Sequence, residues 1–404
     1  MNADKRRFRM NQNSIVHLFR GHYTSPHVTY TQPAAALLTD LKQRGRNPHP
    51  DSSPDGSRSA WSRRAFCSLA MAASQPGFAA ASNRIRVAVL GTGHAHAPGK
   101  IRALRSLPQF EFAGICRPDP DEPNQGEVFD GVRWLALEEL LEDRSIELVA
   151  VESRVERGLG YAEQCVRASK YVHLDKPPGE DLARLRALLA EAGRRRRVVQ
   201  MGYQWRYHPA IEAAVSAARQ GWLGRVYAFR ASIDKPIAAE ERRRLAAFRG
   251  GMMFELGCHL IDRAVALLGK PKKVTGFLRH DSPLDDGLAD NTLAILEYER
   301  AMAEIYVAAF QPHGGRYRQI EISGTNGKAT VQPFSPLRLV VDLEDAAGPY
   351  RAGLQDVRLP EEGPAFAPDF LEMASVIRKG AAPRCSPEHD LITHEALLQA
   401  CHVI

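Results

Sequence analysis

The chain has 404 residues, 44% hydrophobic and 25% charged, which suits a leader followed by two domains with buried cores. Its formal charge of +7 lies entirely in residues 1–82, which hold 11 Lys or Arg against 4 Asp or Glu, so the remaining 322 residues sum to zero. A nucleic-acid binder carries its positive excess on the folded part, so that partner is set aside, and no apolar run approaches the ~20 residues of a membrane span, so no stable membrane anchor is expected.

Residues 1–57 are polar, proline-rich and aperiodic, a composition that favours disorder. Ser62-Arg63-Arg64-Ala65-Phe66-Cys67-Ser68-Leu69 follows, then a mild apolar run to Ala73 and the small-residue stretch Ala79-Ala80-Ala81. Basic, weakly apolar, then A-x-A is a signal-peptide layout, and the adjacent arginines match the twin-arginine type. Residues 1–82 are therefore read as a leader that directs an already folded protein to the periplasm, with a cytoplasmic location as the alternative. The six cysteines are scattered without CxxC or metal-like spacing, as expected of buried thiols.

Residues 83–207 read as a dinucleotide-binding domain. Arg84–Leu90 is a β-branched run that enters Gly91-Thr92-Gly93-His94-Ala95-His96, and helical spacing follows at Ile101, Leu104 and Leu107. In that context Gly91 permits a tight turn and Gly93 lets backbone approach a pyrophosphate; His96 stands where the third glycine is usual. A strand over 110–116 ends at Cys116-Arg117-Pro118-Asp119, where Arg117 suits a 2′-phosphate and tilts the choice between NAD and NADP toward NADP. Helices over 135–143, 157–169 and 180–194 alternate with strands over 146–152, 171–175 and 198–203, a doubly wound parallel sheet. Ligands sit beyond the carboxyl ends of such strands, which here carry Glu152-Ser153-Arg154, Asp175-Lys176-Pro177-Pro178 and Tyr203-Gln204-Trp205-Arg206-Tyr207. Pro177 keeps Lys176 out of a helix, and burial beside a cationic ring would lower its pKa toward that of an acid/base catalyst.

Residues 208–404 read as an α+β domain. A helix over 209–220, a strand over 225–233 and a helix over 239–248 lead to a helix from Met252 to Leu268. Six strands follow over 272–279, 291–298, 302–310, 317–323, 328–333 and 337–343, in a mostly antiparallel sheet, and helices over 368–379 and 387–402 close the chain. Glu255, His259 and Asp262 stand at i, i+4 and i+7, one helical face on which the carboxylates would orient the histidine. No third metal ligand accompanies the Glu255/His259 pair, so no metal is expected.

Taken in order, GTGHAH, HLDKPPG, MGYQWRYHP, GGMMFELGCHLID, DDGLADN and ISGTNGKATV resemble the Gfo/Idh/MocA family of dehydrogenases over residues 84 to about 345. The resemblance implies hydride exchange between NAD(P) and a hydroxyl carbon of a sugar, inositol or related polyol, and homo-oligomer contacts through the second sheet. It maps the family's Glu-Lys-Pro motif onto Asp175-Lys176-Pro177 and its acid-to-histidine element onto Glu255 and His259. The segment Glu152-Ser153-Arg154 departs from the family's Thr-Pro-Asn. The catalytic candidates are thus Lys176, His259 and Glu255. Cofactor contacts are expected from Gly91, Thr92, Gly93, His94, Arg117, Glu152, Asp175, Trp205 and Arg206, and substrate contacts from Tyr203, Tyr207 and Asp262. Two rival readings are an NAD-dependent glycoside hydrolase working by transient oxidation and a non-catalytic dinucleotide binder.

Overall fold

A computed structural model describes residues 84–361 and 363–404; the leader reading of residues 1–82 lies outside the described residues. The first part alternates β1 (Ile85–Leu90), α1 (Ala97–Ser106), β2 (Phe110–Cys116), β3 (Trp134–Leu135), α2 (Leu137–Glu142), β4 (Leu148–Val151), α3 (Val155–Arg167), β5 (Tyr171–Leu174), α4 (Leu182–Arg194) and β6 (Val199–Met201). All six strands are parallel in the order β3-β2-β1-β4-β5-β6. Helices cover both faces, which is why β1 and β4 are buried along almost their whole length. The order reverses between β1 and β4, and the ligand crevice of such a sheet opens at that point. Between β2 and β3, Pro118, Pro120 and Pro123 deny their predecessors helical backbone and remove three donors, so Arg117–Gly126 crosses the sheet end without a helix.

The second part comprises α5 (Pro209–Arg219), β7 (Val226–Asp234), α6 (Ala239–Leu245), a π-helical turn at Met253–Gly257, α7 (Cys258–Leu268), β8 (Lys273–Arg279), β9 (Asn291–Glu297), β10 (Met302–Ala308), β11 (Gln319–Gly324), β12 (Gly327–Val331), β13 (Leu339–Leu343) and β14 (Gly353–Asp356). Their sheet runs β14-β13-β12-β11-β7-β10-β9-β8, antiparallel except for the β7–β10 pair. Strict alternation in β9 and β10 turns Ala294, Leu296, Ala303 and Ile305 toward the helices. The other face is open, with Arg230, Glu304 and Glu321 in one cross-strand row.

Two helices complete the chain, α8 (Ala367–Lys379) and α9 (Pro387–Ala400). Sequence order assigns both to the second domain, but α8 returns to the first. Phe370 and Met373 are buried with Ile85, Ile101 and Phe110, and Arg378 pairs with Glu147. No helix among the described residues is long and apolar enough to cross a membrane. The described cysteines are free thiols, four of them buried.

A buried charge network fixes α9 against α7. Asp262 accepts from Arg206 at 2.6 Å, from Arg263 at 2.6 Å and from Nε2 of His389 at 2.9 Å, while Arg206 also reaches Asp390. Burial works to lower the pKa of His389, but the bond to Asp262 and the neighbouring Cys385 outweigh it and lift the value to about 9. A folded-state pKa above that of the unfolded chain makes this contribution complete below about pH 6.5 and lost as pH rises through about 9. Urea unfolding should therefore show stability falling by roughly 3 kcal/mol across that window at most, and His389→Gln should flatten the fall.

Candidate active site

The turn after β1 is shaped by contact with the end of β4. Gly91 has φ +85°, and a Cβ there would stand 2.5 Å from the backbone of Ser153, so only glycine fits. The backbone N–H of His94 donates to the carbonyl of Glu152 at 2.8 Å, tying the two turns together. Two further backbone donors converge on one carboxylate: Thr92 N–H on Oε2 of Glu122 at 2.7 Å and Arg154 N–H on Oε1 at 3.0 Å. Donors from two turns aimed at one anion form a cradle that suits a pyrophosphate, and the Glu122 carboxylate stands there as its substitute. Beside the cradle lies a cavity of about 580 Å³ lined by Arg102, Arg154 and Arg244 and by Asp121, Glu127, Glu240 and Glu241, with Arg154 paired to Asp121 and Arg244 to Glu241. The backbone donors fit a dinucleotide's diphosphate.

Beneath the turn lies a second buried cluster. Lys100, fully buried on α1, donates to Glu152 at 2.9 Å and to Asp175 at 2.7 Å. Asp175 also takes Nδ1 of His94 at 2.8 Å, Nδ1 of His96 at 3.1 Å and the backbone N–H of Lys176 at 2.7 Å. Burial alone would raise its pKa, but His94 and Lys100 hold it well below the carboxylate range. Glu152 goes the other way, raised well above that range by burial, so it carries the proton of the pair. His94, His96 and Asp175 bring ligand atoms within 4.8 Å of one another, yet the Lys100 ammonium already supplies the positive charge that a metal would bring to Asp175. Glu152 and Asp175 are thus not on the cavity wall as the sequence predicts. They lie under it, holding α1 to the ends of β4 and β5.

Lys176 emerges from this cluster toward the second domain. Its Nζ donates to the Glu255 carboxylate at 3.0 Å and to the Glu255 carbonyl at 3.0 Å, while its own carbonyl meets Nε2 of His94 at 3.1 Å. Burial works to lower its pKa, but the attraction of Glu255 prevails and the net shift is upward. This corrects the expected depressed lysine: with a carboxylate at 3.0 Å, Lys176 is an ammonium ion. The shared face of Glu255 and His259 also fails, because Glu255 lies in the π-helical turn and His259 in the α-helix that follows. In this turn the Glu255 carboxylate is engaged by Lys176. His259 stacks on Trp205 at 4.6 Å between ring centres and meets Tyr203 at 5.9 Å; its Nδ1 has no protein partner. Burial, then the Lys176 charge, hold its pKa well below the usual value, so its imidazole is neutral.

Other expected contacts point elsewhere. Arg206 and Asp262 are consumed by the buried network with Asp390 and His389. The hydroxyl of Tyr207 bonds Glu372 of α8 and accepts from Gln200 at 3.0 Å. Arg117 folds back to donate to the carbonyls of Pro120 at 2.9 Å and Glu122 at 2.8 Å. Trp205 packs between His259 and Phe334, and is 9% exposed. Lys100, His96 and Glu122 were not read as site residues. Lys100 falls next to Ile101 on the buried stripe of α1, a position that hints at burial; Glu122 lies in an aperiodic loop without a signal.

A six-stranded parallel sheet with a glycine turn at its switch point, joined to a domain of an open mixed sheet whose π-helical turn and α7 deliver a carboxylate and a histidine, defines a two-domain dinucleotide-type oxidoreductase fold. Residues 85–203 match the oxidoreductase family with NAD-binding Rossmann fold, and residues 211–330 match the GFO/IDH/MocA C-terminal domain. Trans-1,2-dihydrobenzene-1,2-diol dehydrogenase of Homo sapiens is 30% identical over 248 residues, covering 60% of this chain and 72% of the relative. The Bos taurus protein of that name is 29% identical over 213 residues, and there the chain spans 62% of the relative's length and 51% of its own. The chain belongs to the Gfo/Idh/MocA oxidoreductase family. In fold it is similar to UDP-N-acetylglucosamine 3-dehydrogenase of Acidithiobacillus ferrooxidans, with a TM-score of 0.65 at 20% identity over 80% of this chain and 98% of that one.

Arg206→Ala should lower unfolding free energy by about 3–5 kcal/mol, because it strands Asp262 and Asp390 in the interior. Denaturant titration measures this, and dinucleotide affinity of the folded fraction should stay unchanged.

Proposed function

We propose that the chain exchanges hydride between NAD or NADP and a hydroxyl carbon of a sugar, inositol or related polyol. The observation that carries this reading is a charged Lys176 at the carboxyl end of the parallel sheet, paired with Glu255 just ahead of the helix that carries the neutral His259. A diol dehydrogenase and a sugar-nucleotide dehydrogenase among the similar proteins support the substrate class. With Arg117 engaged by its own loop, its placement does not argue for a 2′-phosphate.

The backbone of the Gly91–Gly93 turn and the Arg154 N–H would hold the dinucleotide's diphosphate, with Arg102 on the cavity wall beside them. The bound nicotinamide supplies the hydride acceptor or donor. The neutral His259 imidazole accepts the proton leaving the substrate hydroxyl, and the Lys176 ammonium donates a hydrogen bond to the oxygen as negative charge develops there. Glu255 keeps Lys176 charged and aimed, so its role falls on the lysine rather than on the histidine. Trp205 and Tyr203 fix the plane of the His259 ring. Lys176→Ala and His259→Ala should each lower kcat by about 10²–10⁴-fold in a 340 nm assay against a panel of polyols and diols. Full turnover in both variants would remove this assignment.

The leader pattern extends the proposal to a site of action outside the cytoplasm. Self-association is assigned to the open face of the second sheet, where exposed Phe277 is in register with Leu293 and Tyr306. Phe277→Asp should lower the mass measured by light scattering; an unchanged mass would move the interface elsewhere.

A further inference from the structure

The diphosphate cradle has an occupant supplied by the chain itself. The Glu122 carboxylate bridges the ends of β1 and β4, the two strands between which the sheet order reverses. A Cβ built on Gly93 would come within 2.6 Å of Glu122 Oε1, so the space that the glycine leaves is filled by this side chain. Glu122 is 3% exposed, and burial raises its pKa against the two N–H groups that favour its ionised form. A diphosphate oxygen and this carboxylate need the same donors and repel each other, so they cannot share the cradle.

The segment carrying Glu122 is a strap over Arg117–Gly126, fastened by side chains at its surface. Arg117 closes it on itself through the carbonyls of Pro120 and Glu122. Asp119 accepts from Tyr161 at 2.8 Å and pairs with Arg157, and Asp121 pairs with Arg154 at 2.6 Å. Thr92 Oγ1 donates to the carbonyl of Pro123. The ion pairs are half-exposed, and such pairs contribute little each, so the strap can lift without breaking the core.

We propose that Glu122 is an internal anion that closes the dinucleotide site, and that the 117–126 strap must withdraw it before a diphosphate group binds. This rests on the dinucleotide reading above. A tethered carboxylate competes at high effective concentration, so a single-charged ligand fails to displace it. A diphosphate adds contacts to Arg102 and to Arg154, which Asp121 releases as the strap lifts, and succeeds. The strap thereby selects for diphosphate esters and lowers apparent affinity by the fraction of molecules that are open.

The test is calorimetric titration of the full chain with NAD+ and, separately, with inorganic pyrophosphate, for the wild type, Glu122→Gln and Glu122→Ala. The alanine variant should bind both ligands at least about tenfold more tightly. Glutamine, which keeps an acceptor and loses the charge, should move in the same direction by less. Tighter pyrophosphate binding in the variants with NAD+ bound by none would uphold the strap and remove the nicotinamide reading. Equal or weaker binding of pyrophosphate in both variants, or no binding by any form, would overturn the proposal. So would weaker NAD+ binding in the variants than in the wild type, which would make Glu122 a ligand contact. Should Glu122→Ala fail to fold, hydrogen exchange on the wild type decides: either ligand must speed exchange across 117–126, and slower or unchanged exchange there overturns the strap.

Discussion

The Lys100 ammonium, sealed between Asp175 and Glu152, is the interaction on which the site depends. It joins the first turn of α1 to the ends of β4 and β5, and so sets the height of the glycine turn and the direction of the residue after Asp175. A buried ammonium is tolerated only when its charge is matched. Here the match comes from two carboxyl groups whose pKa values are pushed apart, Asp175 downward by His94 and Lys100 and Glu152 upward by burial, with His94 and His96 sharing Asp175. A chain that misplaced any of these groups would leave a charge stranded in the interior. The geometry around Lys176 is therefore held by electrostatics rather than by packing alone.

The second domain contributes through a local irregularity. The π-helical turn at Met253–Gly257 carries Glu255 to the lysine of the first domain and leaves His259 against aromatic rings with one nitrogen unpartnered. In the proposed reaction the arrangement would divide the work between a cation that stabilises negative charge and a neutral ring that accepts a proton. Separating two titratable groups by environment in this way is how one site serves both tasks near neutral pH. On the opposite side of the glycine turn, Glu122 adds a competing charge, so access and chemistry are governed by different carboxylates.

Period and punctuation made most of the architecture legible. Alternating strand and helix patterns, the glycine turn after β1 and the run of strands after Gly269 each follow from a local rule that tertiary contacts reinforce. β3 and β14 were not legible, since two and four residues with little burial carry no period. Neither was the return of α8 to the first domain, because an amphipathic helix states that one face is buried and not against what. Of the site, Lys176 and His259 stood out by position, while Arg206, Tyr207 and Asp262 stood beside them in sequence and proved to serve the interior.

Sequence by itself determined the fold class, the glycine turn and the two residues best suited to proton and charge work, because each is encoded within a few neighbouring positions. Tertiary structure alone decided which acid serves which base: Glu255 for Lys176, Asp262 for Arg206, Glu122 for the empty place beside Gly93. Charge pairing and hydrogen bonding act through space over a few ångströms, between residues 30 to 79 positions apart in the chain, and no local pattern records such a distance.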